Sequence, residues 1–533
     1  MFRHAVAVAY WCAAGFAQTT GAQLATYHSL VDDSEQPYAL YVPPSYSPAK
    51  KWPLVITLHE EDSNHRLNLR RVFGAPVRVN APDSENMRYF PAVPDYGFLV
   101  AAPFARGSMG YEGIAERDVY DVLADVKRRF PVDEDRVYLT GISTGGIGAL
   151  RLVLTRPDVW AAVAVLCPGP AGGVEEMAGN ASSVPVRLYH GDLDPIVAPE
   201  TSRAWHRRLL DAGVPVSYLE YPNVRHNVWD EAYRDGAVFE WFAQHKRNAD
   251  PERVKLKTRS YRYGSAYWVR VDGMTPGVLA SIDASRTPGE LRVSTQNVDA
   301  FTVMRPAAHV VIDGAAVTVK AGVALSFVKS PGGWRQGQYV AAGKHPGLEG
   351  PIAEAVNGRQ IYVYGTLGSD ADVEARRKVA ETAAHWSTVR QKVAFAPRVV
   401  ADTMVSAADL EEADLVVFGS AETNSVLARF GARLPLALSS AAADWGLVFV
   451  APLGKHYVVV SSGLPWWTGT EEVRRGGDAH APPMYRLLTT FGDYVLFKGS
   501  LGNVVAEGRF DPNWRVPAEA AAKMIVTGTV AVR

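Results

Sequence analysis

The stretch that decides the fold of this chain runs from Val137 to Leu154 and reads VYLTGISTGGIGALRLVL. An apolar, strand-like run is followed by a glycine-rich turn and then by apolar residues at helical spacing. Glycine permits a sharp turn and a close approach of two backbones. The pattern Gly141-x-Ser143-x-Gly145 therefore predicts a strand–turn–helix unit with Ser143 at its tip, although the motif alone is equally typical of an ordinary glycine-rich loop.

The same alternation of strands and helices extends over residues 23–247. Strand-like runs such as PLVITLH and GFLVAAP alternate with helical ones such as AERDVYDVLADVKRRF. Val-, Ile- and Leu-rich strands separated by helices indicate βαβ units. We expect an α/β fold here, a mostly parallel sheet with helices on both faces.

Two further regions with different sequence patterns follow this one. Residues 253–348 contain short β-branched runs broken by Asp-Gly and Pro-Gly turns, which predict a small antiparallel, sandwich-like β domain. Residues 349–533 again mix a long helical stretch with apolar strands and predict a C-terminal α/β domain. Its role is not indicated by any motif.

The N-terminal residues 1–22 resemble a secretory signal peptide. Arg3 and His4 precede an apolar run that ends at Ala17, and small residues permit cleavage near Ala17 or Ala22. The run is shorter than the about 20 residues that span a bilayer, which argues against a stable membrane anchor. We expect a secreted or periplasmic protein.

Composition narrows the classes of partner. The chain has 533 residues, a formal net charge of −1 and no basic run, so nucleic acid is not an expected partner. Its two cysteines are Cys12 in the predicted signal peptide and Cys167, which we expect to be buried at a strand end. The cluster HEEDSNH at 59–65 lacks the spacing of a helical zinc site, so we expect neither metal nor cofactor.

A nucleophilic serine needs a base and an acid that orients the base. Downstream of Ser143, the strand VPVRLYHG ends in a loop with Asp192 and Asp194, and a later strand is followed by His226. The order Ser143, Asp194, His226 is that of the α/β-hydrolases. Asp194 fits the spacing better, and Asp192 remains the alternative acid.

These segments carry a resemblance to a known family. Residues from about Tyr27 to His245 resemble a secreted α/β-hydrolase of the branch that contains prolyl-oligopeptidase-like esterases, feruloyl and acetyl-xylan esterases and polyhydroxybutyrate depolymerases. The matching segments include PYALYVPPSY, WPLVITLH, HGDLDPIV and RHNVWDEAY. In this family the acid is the second Asp of His-Gly-x-x-Asp-x-x-Val, and a His shortly before Trp is the base. The resemblance therefore implies Asp194 as the acid and His226, before Trp229, as the base.

The oxyanion of an acyl-transfer intermediate requires two backbone donors. One is expected from Thr144, the residue after the serine, and the other from the loop after LVITLH, at Glu60 or Glu61. Relatives commonly have His-Gly-Gly or His-Gly-x where this chain has His59-Glu60-Glu61. We expect the glutamate side chains to point away and the backbone donor to be retained.

The sequence thus predicts a serine esterase that cleaves aryl or acylated-carbohydrate esters, small or polymer-borne, through an acyl-enzyme. Tyr111, Trp160 and Trp229 suggest an aromatic substrate environment, with Tyr111 and Trp229 as candidate substrate contacts. Two alternatives stay open. One is a serine peptidase of the prolyl-oligopeptidase type, and the other is a glycan-binding protein on a hydrolase fold that has lost catalysis. The oligomeric state is not indicated.

Overall fold

The computed structural model describes residues 19–75, 90–320, 322, 324–386, 393–470 and 484–533. The first domain is built on an eight-stranded sheet of order β1-β2-β4-β3-β5-β6-β7-β8. Strands β1 and β2 are antiparallel to their neighbours, and the other six run parallel. The strands are β1 Gly21–Ser29, β2 Ser34–Val42, β3 Trp52–Leu58, β4 Leu99–Pro103, β5 Val132–Ile142, β6 Ala162–Leu166, β7 Val186–Gly191 and β8 Val216–Tyr221.

Helices cover both faces of this sheet. They are α1 His65–Val72, α2 Ile114–Arg129, α3 Thr144–Thr155, α4 Glu200–Asp211, α5 Trp229–Ala232 and α6 Ala237–Ala243. Strand β3 is buried along its whole length. Leu54 and Ile56 pack into the core on one face of the sheet and Val55 into the core on the other. A strand buried on both faces needs apolar residues at nearly every position, which explains its largely apolar sequence; buried Thr57 accepts a hydrogen bond from Asn68 Nδ2 at 3.0 Å.

The second domain consists of two five-stranded sheets that enclose one core containing Leu256, Trp268 and Phe301. Its strands are β9 Arg253–Thr258, β10 Ser265–Ala266, β11 Val269–Met274, β12 Ala280–Thr287, β13 Glu290–Gln296, β14 Val298–Val303, β15 His309–Ile312, β16 Ala315–Val317, β17 Leu325–Ser330 and β18 Gly333–Gln336. The pairing is antiparallel except between β13 and β15, which run parallel.

The third domain has a seven-stranded sheet of order β20-β19-β21-β24-β23-β25-β26, in which the first four strands are parallel. A separate ribbon pairs β22 with β27. The strands are β19 Gln360–Tyr364, β20 Arg398–Ala401, β21 Asp414–Phe418, β22 Leu436–Leu438, β23 Trp445–Leu453, β24 His456–Gly463, β25 Tyr494–Lys498, β26 Val504–Gly508 and β27 Val530–Val532. The helices are α7 Ile352–Ala355, α8 Asp370–Ala384, α9 Ala407–Glu412, α10 Ser425–Phe430, α11 Met484–Thr490 and α12 Ala518–Val526. The predicted fold class is confirmed.

The predicted signal peptide lies outside the described residues up to residue 18. Strand β1 begins at Gly21, and Gly21 and Ala22 already pair with Val42 and Tyr41. A cleavage at Ala17 would leave this edge strand whole, whereas a cleavage at Ala22 would shorten it. Within the described ranges, no helix combines the length and the apolar character that crossing a membrane requires.

Candidate active site

Ser143 lies at a sharp turn between β5 and α3. Its φ of 53° and ψ of −114° are rare for a residue with a side chain. The two flanking glycines make the turn possible, because a Cβ on Gly141 would overlap the carbonyl oxygen of Gly145. A Cβ on Gly145 would lie 2.7 Å from the carbonyl oxygen of His59 and still closer to that of Leu58. Helix α3 therefore begins directly against the loop that follows β3.

The turn brings Ser143 to the two residues that the sequence placed after later strands. His226 Nε2 lies 3.1 Å from Ser143 Oγ. On the other side of the ring, His226 Nδ1 lies 2.6 Å from Asp194 Oδ2. The three side chains form one continuous hydrogen-bonded row, in which the Asp194 carboxylate is buried and the His226 ring is 20 % exposed.

The second oxygen of Asp194 is held by its own loop. Oδ1 accepts hydrogen bonds from the backbone N–H groups of Ile196 at 2.8 Å and Val197 at 3.0 Å. Burial raises the pKa of Asp194, but the hydrogen bonds from His226 and from these N–H groups outweigh it and hold the pKa below its usual value. Asp194 is therefore ionised beside the imidazole at neutral pH.

The other candidate residues of this loop have different partners. Asp192 Oδ1 accepts a hydrogen bond from the backbone N–H of Asn223, 2.7 Å away, at the end of β8. His190 is fully buried, with Nδ1 2.7 Å from Ser202 Oγ and Nε2 3.1 Å from Asp194 Oδ2. Burial lowers the pKa of His190. His190 and His226 thus contact the same carboxylate oxygen, which no motif in the sequence indicates.

The side chains of Glu60 and Glu61 lie in different environments. The Glu60 carboxylate forms an ion pair with Arg71 of α1, and both side chains are largely buried. The Glu61 side chain is exposed. Among the described residues, the backbone N–H groups of Thr144, Glu60 and Glu61 find no hydrogen-bond acceptor. These groups are therefore available as donors, and Arg71, which no sequence pattern indicates, compensates the charge of Glu60.

His59 and Tyr111 lie beneath this loop. His59 Nδ1 is 2.8 Å from the Glu60 carbonyl oxygen, and Nε2 is 3.0 Å from that of Phe104. Burial lowers the pKa of His59 to about 4, so the ring is neutral at pH 7. Tyr111 is 4 % exposed and its hydroxyl donates to the His59 carbonyl oxygen at 2.9 Å. Tyr111 thus supports the loop from inside, and its position offers little surface to a substrate.

Two tryptophans of the predicted aromatic environment are far apart in the fold. Trp229 is partly exposed and meets the His226 ring edge-on, with 5.7 Å between ring centroids. The Arg71 guanidinium lies 5.0 Å from the Trp229 ring. Trp160 is buried just before β6, at the opposite end of the parallel strands from Ser143. The sequence-based inclusion of Trp160 in this environment is wrong, because a residue at the amino end of a strand cannot reach its carboxyl end.

Cys167 lies directly below the row of side chains. It is fully buried after β6, and its thiol is 3.5 Å from the His226 carbonyl oxygen. Burial raises the pKa of this thiol. Ligand atoms of Cys167, Asp194 and His226 lie within 4.8 Å of one another. Asp194 and His226 already share a hydrogen bond, and the thiol is protonated. These atoms therefore take part in the contacts described above and are not arranged as ligands of a metal ion.

Comparisons with known proteins find esterases among the proteins that are similar to this region. Residues 33–208 match the family model described as "Putative esterase". The chain is similar to a poly(3-hydroxyoctanoate) depolymerase from Pseudomonas fluorescens, 29 % identical over 171 residues, which covers 28 % of this chain and 60 % of that protein. It is also similar to the carboxylesterase SOBER1 from Arabidopsis thaliana, 27 % identical over 156 residues, covering 29 % of this chain and 66 % of the relative. The chain thus spans somewhat less than two thirds of the length of these curated relatives.

Solved structures give matches of low overall similarity. A thermostable esterase has a TM-score of 0.34 and 23 % identity, covering 42 % of this chain and 63 % of its own. A ferulic acid esterase from Anaeromyces mucronatus, in complex with ferulic acid, has a TM-score of 0.32 and 15 % identity, covering 43 % of this chain and 92 % of its own.

Proposed function

We propose that the α/β-hydrolase domain is a serine carboxylesterase. Residues 33–208 of this domain match the esterase family model. The observation that carries the proposal is the unbroken hydrogen-bonded row from Ser143 Oγ through the His226 ring to Asp194. Nucleophile, base and orienting acid require this order and these distances. Asp192, bonded to a neighbouring loop, has no part in it.

In this mechanism the Ser143 hydroxyl attacks the ester carbonyl while His226 Nε2 takes its proton. Asp194 keeps the Nδ1 proton facing itself and stabilises the imidazolium that forms. The tetrahedral intermediate collapses when His226 returns the proton to the leaving alkoxide, which departs as an alcohol and leaves an acyl-Ser143. Water then attacks the acyl group while His226 takes its proton. The second tetrahedral intermediate releases Ser143 Oγ, which regains the proton from His226, and the carboxylic acid leaves.

The oxyanion of the intermediate is assigned to the backbone N–H groups of Thr144 and Glu60. Both are without an acceptor among the described residues, and α3 begins against the loop that carries Glu60. A free carboxylate at this place would repel the developing negative charge. The Arg71 ion pair removes that objection, and it also makes Glu60 unavailable to the ammonium group of a peptide substrate. The exposed side chain of Glu61 remains able to approach such an ammonium group, so hydrolysis of ester and peptide substrates decides between esterase and peptidase.

Trp229 is the aromatic residue best placed to contact the substrate, since it is partly exposed and touches His226. Aryl or acylated-carbohydrate esters, small or attached to a polymer, are the proposed substrates, in line with the depolymerase and ferulic acid esterase names among the matched proteins. Export by the segment 1–22, which resembles a signal peptide, would bring the enzyme to such substrates outside the cytoplasm.

The test is hydrolysis by the full chain of acetyl, feruloyl and peptide substrates, alongside the variant Ser143→Ala. We expect release of acid from the esters by the wild-type protein and its loss in the variant, with an unchanged thermal unfolding curve. Ester turnover that survives in Ser143→Ala would contradict the assignment. Preferential cleavage of the peptides would instead favour the peptidase alternative.

A further inference from the structure

We propose that the C-terminal domain positions the oxyanion donor of the hydrolase domain, with Arg486 as the positioning residue. The proposal rests on the esterase function above. Two segments of the hydrolase domain carry the contacts. The oxyanion loop comprises residues 59–62, after β3, and the bridge loop comprises residues 104–113, between β4 and α2. The bridge loop contacts the oxyanion loop on one side and the C-terminal domain on the other.

Three hydrogen bonds join the bridge loop to the oxyanion loop. The His59 ring contacts the Phe104 carbonyl oxygen at 3.0 Å, and the His59 carbonyl oxygen accepts from the Tyr111 hydroxyl at 2.9 Å. At the far end of the loop, the backbone N–H of Asp62 donates to Ser108 Oγ at 3.1 Å. Asp62 has a φ of 59°, in the left-handed region that aspartate adopts more readily than most residues with a side chain. The oxyanion loop is thus fixed at both ends by the bridge loop.

The C-terminal domain holds the bridge loop in turn. Arg486 of α11 donates from Nη2 to the Ser108 carbonyl oxygen at 3.0 Å. The backbone N–H of Ala394 donates to the Arg106 carbonyl oxygen at 3.2 Å, and the Arg106 guanidinium donates back to the Ala394 carbonyl oxygen at 3.4 Å. Arg106 is fully buried and also pairs with Asp118 of α2 at 2.8 Å. Several contacts between the two domains therefore lie on the bridge loop.

Ser108 is where the two sets of contacts meet. Its carbonyl oxygen accepts from Arg486 and its hydroxyl accepts from Asp62. The peptide between His59 and Glu60 is planar, so holding the His59 carbonyl oxygen on Tyr111 sets the direction of the Glu60 N–H on the opposite side. An oxyanion donor must lie within about 2.7–3.1 Å of the charge it stabilises. A small displacement of the bridge loop therefore weakens stabilisation of the transition state more than it weakens binding of the ester.

The test compares two interface variants in the full-length protein. Arg486→Ala removes the contact with Ser108, and Arg359→Ala removes another ion pair between the same domains, 2.7 Å from Asp33 in the turn between β1 and β2. For Arg486→Ala we expect kcat and kcat/KM to fall together by about tenfold, with KM unchanged. This loss is smaller than the about 10²–10³-fold loss in kcat that follows removal of an oxyanion donor. Arg359→Ala should keep wild-type kinetics. Arg486→Lys should restore most of the rate, because a lysine can donate to the same carbonyl oxygen.

A second readout separates positioning from general loosening of the interface. Trifluoromethyl ketones add to the serine as a tetrahedral oxyanion, so their inhibition constant for Arg486→Ala should rise by the same factor as kcat/KM falls. Equal rate losses in Arg486→Ala and Arg359→Ala, or wild-type kinetics in Arg486→Ala, would overturn the positioning role. Absence of esterase activity in the wild-type protein would instead refute the proposed function on which this inference rests.

Discussion

Replacing Gly145 by alanine perturbs the contact between the first turn of α3 and the oxyanion loop. The added methyl group would lie 2.7 Å from the His59 carbonyl oxygen and closer still to that of Leu58. Ordinary contacts of a Cβ begin at 3.4 Å, so the helix and the loop must separate by at least 0.7 Å. Both neighbours are backbone atoms, which cannot rotate aside as a flexible side chain would.

This displacement separates the two proposed oxyanion donors, one on each side of the contact. A misplacement of about 1 Å in a catalytic arrangement can cost about a hundredfold in rate, or about 2.7 kcal/mol of transition-state stabilisation. Overpacking should also lower the free energy of unfolding by about 1–3 kcal/mol. We therefore expect kcat to fall about a hundredfold in a protein that remains folded.

The assay is steady-state hydrolysis of p-nitrophenyl acetate, with urea unfolding as the measure of stability. Gly172→Ala is the matched control, because its Cβ would meet nothing within 4 Å and its position is exposed. The control should retain wild-type activity and stability. A kcat for Gly145→Ala equal to that of the control would refute the argument that α3 and the loop must touch for catalysis.

Three further predictions concern charged groups. Asp194→Asn should lower kcat by about 10⁴-fold in the same assay, whereas Asp192→Asn should leave it unchanged; equal losses would show that the acid is misassigned. Arg71→Met should destabilise the protein by about 3 kcal/mol in urea unfolding because the Glu60 carboxylate is left unpaired, and adding Glu60→Gln should recover most of this loss. His59 has a pKa lowered from 6.5 to about 4. Between these pH values the unfolded chain binds a proton at His59 that the native protein does not. The free energy of unfolding should therefore fall as the pH falls, by about 3 kcal/mol from this residue. A His59→Gln variant whose free energy of unfolding has the same pH slope would contradict this prediction.

The local part of the site is readable from the sequence. A strand, a turn with glycine on both sides of Ser143 and an apolar helix are encoded within 18 consecutive residues, Val137–Leu154. The order of the later loops also narrows the base and the acid to a few residues. Periodicity cannot distinguish Asp192 from Asp194, however, since they are two positions apart on one loop. Asp192 is hydrogen-bonded to Asn223 and Asp194 to His226. This difference arises only because β8 and the loop after it lie beside the two aspartates.

The electrostatic and interdomain parts are not readable in this way. The direction of the Glu60 side chain depends on Arg71, which α1 brings back to the loop. Tyr111 was expected at the substrate, but the small Gly148 of α3 leaves room for its ring beneath the oxyanion loop. Arg486 and Ser108 are separated by 378 positions. No sequence pattern links residues so far apart, and their contact follows only from how the domains pack.

Ser143 is proposed as the nucleophile of a serine esterase. The direct measurement is labelling of the full-length protein with a fluorophosphonate, followed by proteolysis and mass spectrometry of the peptide that contains Ser143. We expect one phosphonyl adduct on Ser143, formed in the wild-type protein and strongly slowed in His226→Ala, which lacks the base 3.1 Å from the serine hydroxyl. A wild-type protein that hydrolyses esters but carries the adduct on another residue would contradict it.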